Sequence, residues 1–156
     1  MSIKKIDVVL SSGEELPEAD SWLVIDILRA TTTMDAFFSS GGRTLYPCPS
    51  IEDAFTLRDR LAAGGDPPLL MGERNALPPP GFDLGNSPLE LLEYGPAKKT
   101  AAVMATTNGT RALLKAARSG RPVRPACARN AQAAVRAAAS EGGTLGILCA
   151  GLKGCS

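Results

Sequence analysis

Histidine is missing from the sequence altogether. Its absence excludes Ser-His-Asp and Cys-His machinery, phosphohistidine chemistry and the usual zinc hydrolase sites. Aromatic residues make up only 4% of the 156 residues, too few for the stacking platform of a single-strand nucleic-acid binder. Excess charge is lacking too. The net charge of +1 offers nothing to nucleic acid or to an acidic membrane surface. No apolar run approaches the roughly 20 residues of a membrane span, and the start Met-Ser-Ile-Lys-Lys-Ile-Asp lacks the apolar stretch of a signal peptide. Cys48, Cys127, Cys149 and Cys155 form no Cys-x-x-Cys pair, and none has an arginine six positions on, as a cysteine phosphatase requires. Reduced thiols in a cytoplasmic protein are expected. Any hydrolysis must then rest on carboxylates, a hard metal ion, hydroxyls, backbone amides, and arginine or lysine.

What is present suits one globular unit. With 44% hydrophobic and 21% charged residues, the chain is long enough for one packed core and too short for two domains. Short apolar runs alternate with helical patterns. Ile6–Leu10, Trp22–Ile27, Thr44–Tyr46, Leu69–Met71, Thr100–Met104 and Leu145–Cys149 read as strands, with a weaker one at Val123. Helices are expected near Thr33–Ser39, Ile51–Ala62, Pro88–Tyr94, Gly109–Arg118 and Ala131–Ser140. The alternation predicts a layered α/β/α fold around a largely parallel or mixed sheet. Ser50 before Asp53, and Ser87 before Pro88 and Glu90, mark two helix starts; the second is a capping box with proline in the first helical position. After Cys149 a strand runs into a glycine-rich loop without a following helix, so the 156 residues read as the N-terminal portion of a longer fold. Exposed sheet edges in such a chain make a homo-oligomer an expectation.

Four segments can carry chemistry. In Val24–Thr33, a strand delivers Asp26 near its C-terminal edge, followed by Arg29 and by threonines where a helix begins. Open α/β sheets bind anions at that edge, where free N–H groups and the helix dipole point at the ligand. Asp26 is a metal ligand or a nucleophile on this reading, and Arg29 a fork for phosphate. The structural alternative makes Asp26 a turn acid paired with Arg29, with the threonines as caps. Thr106-Thr107-Asn108-Gly109-Thr110-Arg111 repeats the design, and a cation in the first helical turn opposes the dipole, so helix stability does not explain Arg111. Here the alternative is a plain Asn108 cap. Gly72-Glu73-Arg74-Asn75 and Gly81–Pro88 add Glu73, Asp83 and Arg74, each of which also suits a turn or a surface ion pair. Mg²⁺ takes one or two carboxylates and keeps several waters, so acids scattered on loops suffice for it. Gly146–Lys153 is not a phosphate loop, because its glycine and lysine are misplaced and no hydroxyl follows. Asp26 also lacks the second aspartate two residues on that haloacid-dehalogenase-type phosphatases use, since Leu28 stands there.

Taken together, Val24–Thr33, Gly72-Glu73-Arg74, Gly81–Pro88, Thr106–Arg111, Asn130 and Cys149-Ala150-Gly151 resemble the 2-phosphosulfolactate phosphatase family, of the ComB type, in order and approximate spacing. The resemblance implies a ComB-like α/β fold and Mg²⁺-dependent hydrolysis of a phosphate monoester. The family substrate, 2-phospho-3-sulfolactate, lies on the route to coenzyme M and carries phosphate, carboxylate and sulfonate. The resemblance also implies that relatives continue past Cys-Ala-Gly into a segment with a Glu-Asp pair. The expected site places Mg²⁺ on Asp26 with Glu73 or Asp83. Arg29, Arg74 and Arg111 bind the anionic groups, and Thr107, Asn108 and Gly109 position oxygens of a small polyanionic ester. Two other readings stand beside it: a truncated anion-binding relative without catalysis, and a phosphatase for another phosphorylated hydroxy acid.

Overall fold

The computed structural model describes residues 2–95 and 99–151. Its elements follow in the order β1 (Ile3–Val9), β2 (Ser21–Ile25), α1 (Ala30–Ser39), β3 (Thr44–Cys48), α2 (Ile51–Ala62), β4 (Leu69–Gly72), α3 (Pro88–Tyr94), β5 (Ala101–Ala105), α4 (Gly109–Ala117), β6 (Val123–Ala126), α5 (Ala131–Glu141) and β7 (Gly143–Cys149). The alternation expected from the sequence is present, and every described strand pair is parallel.

The strands form two sheets, one of four strands ordered β1-β7-β2-β6 and one of three ordered β3-β5-β4. The chain leaves the larger sheet after β2, builds the smaller one, and returns through α4 to β6. Edge strands β3 and β6 line one apolar groove with Phe38 of α1 and Leu113 of α4. Each carries a proline, Pro47 and Pro125, which has no N–H for a ladder and holds its strand to an edge. A single continuous sheet is thereby interrupted.

Layering follows from strands buried on both faces. Trp22 and Val24 of β2 point into the main core with Met71 of β4, Met104 of β5, Phe37 of α1 and Ala112 of α4. Between them, Leu23 faces the opposite way, onto Ala134 and Ala138 of α5. Leu70 and Val103 of the smaller sheet likewise turn outward onto Ala54 of α2. Each sheet therefore has helices on both faces, as the α/β/α reading requires.

Local signals act as expected at two helices. Ser50 accepts from the Asp53 N–H at 3.0 Å, and Ser87 from the Glu90 N–H at 3.4 Å. The Glu90 carboxylate reaches back past the cap to the Gly85 N–H at 3.1 Å. Helix α1 begins three residues before the sequence pattern suggests, at Ala30, for a reason that lies in the site. On the outer edge, β1 leaves Ile6 and Val8 more than half exposed. No helix among the described residues is long and apolar enough to cross a membrane. Lys153 and Cys155 lie outside the described residues.

Candidate active site

Asp26 stands immediately after β2. Its backbone N–H donates to the Thr31 hydroxyl at 3.1 Å, and its carbonyl accepts from the Thr31 N–H at 3.0 Å, which turns the chain sharply into α1. Thr31 is fully buried, so this turn is locked from beneath. Neither α1 nor α4 has a side-chain cap from its own N-cap residue, Arg29 or Asn108. The Asp26 carboxylate serves both instead, accepting from the Ala30 and Gly109 amides, the first N–H groups of the two helices. This shared cap explains the early start of α1.

Glu73 stands at the end of β4 in the other sheet. One carboxylate oxygen accepts from the Thr107 N–H at 2.6 Å and the other from the Ala76 N–H at 3.0 Å. Asn75 and Ala76 both adopt positive φ, 53° and 65°, in a tight turn closed by Arg74 and Leu77. An alanine in the left-handed region is costly, and here it aims an amide at the acid. Gly72, just before, permits this route, since a Cβ there would lie 1.9 Å from the Ala105 carbonyl oxygen.

The two carboxylates sense each other across the junction of the sheets, and they titrate in opposite directions. Burial raises Asp26 above the ordinary 3.8, and the neighbouring Glu73 charge adds to this. The two helix amides and Arg29 oppose it without winning. Burial also acts to raise Glu73, but amides from Thr107 and Ala76, the nearby Thr107 hydroxyl and the Arg74 charge outweigh it, so Glu73 lies below the ordinary 4.5.

The signs matter for stability. A lowered acid favours the fold when ionised, so the Glu73 contribution is present above pH 4.5 and disappears as pH falls through its folded value. Asp26 behaves oppositely: its contribution is present below pH 3.8 and is lost as pH rises through its raised value. Glu73→Gln is therefore expected to be less stable than the parent at pH 7. The gap should narrow as pH falls below 4.5 and close once pH has passed below the lowered folded value, where both proteins carry a neutral side chain. Urea unfolding of both in the presence of a chelator measures this; a gap independent of pH would mean that Glu73 acts through packing alone.

The other expected residues are placed as follows. Arg29 lies at the start of α1, close enough to act on Asp26 without a contact ion pair. Arg74 donates to the carbonyls of Glu73 at 2.9 Å and Pro49 at 3.4 Å. Arg111 is exposed and lines a cleft with Thr107 and Pro49. The Thr107 and Gly109 amides are spent on the two carboxylates, so they position the acids. Asp83 is not brought to the pair. Its carboxylate accepts from the Leu70 N–H at 2.7 Å, and its own N–H donates to the Leu70 carbonyl at 2.8 Å, pinning the following segment along β4.

Thr31 and Thr110 take the turn-closing part that the structural alternative gave to the threonines of α1. Thr110 repeats the Thr31 device, its buried hydroxyl accepting from the Thr106 N–H at 3.0 Å. A hydroxyl in the first helical turn after a strand is the signal both share.

Among the described residues, no three acidic, cysteine or histidine side chains converge as a closed metal cage. Asp26 and Glu73 fit a different kind of site. Among the described residues each carboxylate takes amides from two positions, fewer than its lone pairs allow, and a hard ion such as Mg²⁺ asks for one or two carboxylates plus waters and substrate oxygens.

Fold and site together define an α/β protein with two interacting carboxylates, Asp26 and Glu73, just past the C-terminal ends of parallel strands from two sheets, with Arg29 and Arg74 acting on them. The chain belongs to the 2-phosphosulfolactate phosphatase family: the family profile described as 2-phosphosulpholactate phosphatase matches residues 9–156. Among curated relatives, a probable 2-phosphosulfolactate phosphatase of Thermus thermophilus is 44% identical over 153 residues, covering 96% of this chain and 60% of that protein. Proteins of the same description from Carboxydothermus hydrogenoformans and Deinococcus radiodurans are each 43% identical, covering 72% and 86% of this chain and 44% and 55% of their own lengths. The chain thus spans 60% or less of the length of these relatives.

Proposed function

We propose that this chain carries the carboxylate centre of a Mg²⁺-dependent phosphatase acting on the phosphate monoester of a small sulfonated or carboxylated hydroxy acid. The first candidate is 2-phospho-3-sulfolactate, which would yield sulfolactate and inorganic phosphate. The observation that carries this reading is the opposition of Asp26 and Glu73 at the junction of the two sheets, within a family whose relatives bear that activity in their descriptions.

Hydrolysis of a phosphate ester asks little covalent chemistry of a protein and much positioning and charge. Asp26 and Glu73 would hold Mg²⁺, which supplies positive charge at the phosphoryl oxygens and a nucleophile from water. Thr107, Ala76, Ala30 and Gly109 fix the two acids through their amides, so no reorganisation is needed when substrate arrives. Arg29 and Arg111 offer forks to the anionic groups. Arg74 already gives two N–H groups to carbonyls, and its remaining donors suit a carboxylate or sulfonate at the rim.

The deciding assay is phosphate release from phosphosulfolactate and from phospholactate, with Mg²⁺ and with a chelator. Release that requires Mg²⁺ and favours phosphosulfolactate is expected. Release from phospholactate alone would redirect the reading to another hydroxy acid. A well-folded sample that releases phosphate from neither ester would overturn the catalytic reading of this chain.

A further inference from the structure

The cleft that begins at Thr107 does not end at Arg111. It continues along the exposed side of α4 past Leu114 to Arg118, with Pro49 on the opposite wall and a volume of about 950 Å³. Arg111 and Arg118 are seven residues apart, which on an α-helix places them about two turns, or roughly 10 Å, from each other on neighbouring faces. Among the described residues, neither guanidinium forms an ion pair or a hydrogen bond, so both are open to a ligand in the cleft they line. Lys115 lies between them but is committed: its ammonium donates to the Ser12 carbonyl at 2.8 Å and to the Glu14 carbonyl. That clamp holds the 12–14 loop as a wall and leaves the two arginines as the available cations. Beyond Arg118 a neighbouring hollow carries Glu15, Glu18 and Asp20, and Asp20 is taken by the Thr144 N–H at 2.8 Å.

We infer that this cleft is a two-point anion site, in which Arg111 holds one anionic group at the Thr107 end and Arg118 a second about 10 Å away. A three-carbon ester is too short to reach both. The ligand class is a bis-anionic molecule, a bisphosphate or a phosphate ester with a remote acid group, with its charges separated by about two helical turns. It binds as an extended substrate or as an occupant of the same cleft that excludes smaller esters. This inference rests on the anion-binding part of the proposed function.

Linear α,ω-bisphosphates serve as rulers. Calorimetric titration of the full chain compares 1,6-hexanediol bisphosphate with hexanol monophosphate, 1,3-propanediol bisphosphate and inorganic phosphate. The six-carbon bisphosphate should bind at least tenfold more tightly than the monophosphate, and the three-carbon one should gain little. Arg118→Ala should bring the bisphosphate-to-monophosphate affinity ratio close to one, and Arg118→Lys should retain part of it. Equal affinities for the six-carbon pair, or an advantage that survives Arg118→Ala, would overturn the two-point site while leaving the catalytic reading intact. Failure of every phosphate to bind would instead bring down the anion cleft itself. Circular dichroism of the variants separates lost binding from lost folding.

Discussion

Replacing Asp26 by asparagine should reduce phosphate release by at least about a thousandfold, equivalent to roughly 4 kcal/mol of transition-state stabilisation, while moving the melting temperature by no more than a few degrees. The loss is large because Asp26 is one of the two acids proposed to hold the metal, and an amide supplies neither its charge nor its affinity for a hard cation. The melting temperature is expected to hold because ionised Asp26 is not a stabilising group. Burial raises it, so at neutral pH its charge is borne at a cost to the fold. The asparagine oxygen can still accept from the Ala30 and Gly109 amides, though more weakly than a carboxylate. Thermal unfolding and Mg²⁺-dependent phosphate release on one preparation decide the matter. If folding and turnover fall together, Asp26 is chiefly the keystone of two helix starts.

Gly109→Ala should damage both activity and stability, against the ordinary preference of helices for alanine, which is about 1 kcal/mol. A Cβ at this position would lie 2.4 Å from the Ala30 Cβ and 2.7 Å from the Asp26 carboxylate. The helix starts must separate, and Asp26 then loses one of its two amides. Overpacking of this kind costs about 1–3 kcal/mol. In a chain of this size each kcal/mol lowers the melting temperature by about 2–4 °C. Turnover should fall about a hundredfold, in line with the loss of one preorganised donor. The double variant Ala30→Gly/Gly109→Ala separates the two contacts. It relieves the clash between Cβ atoms but not the one with the carboxylate, so stability should recover further than activity. Unchanged turnover in Gly109→Ala would show that the spacing of the helix starts does not matter to the chemistry.

The contrast between these positions indicates what a sequence can disclose. Strand runs such as Leu69–Met71 and capped helices such as α2 and α3 are written locally, in alternation and in Ser50 or Ser87, and the structure follows them. The start of α1 is not, because its cap is a carboxylate four residues upstream that also serves α4 from another part of the chain. Glu73 and Asp83 looked equivalent as loop acids. One is gathered to Asp26 by amides from Thr107 and Ala76, and the other zips an edge against Leu70; these partners are set only by tertiary packing. The division into two sheets was also out of reach of periodicity, although Pro47 and Pro125 mark the edges where it falls. Arg118, at the end of α4, gave no local signal, since its meaning lies in the cleft it shares with Arg111.

The detour of the chain between β2 and β6 has a mechanical consequence. Asp26 follows a strand of one sheet and Glu73 a strand of the other, while the segment entering α4 gives an amide to each, Gly109 to Asp26 and Thr107 to Glu73. Any cation that binds both acids is thereby a clasp across the seam. It resists shearing of one half against the other by a free energy that grows with the logarithm of ligand concentration. Occupancy and rigidity of the joint are then one quantity, set by the same two oxygens.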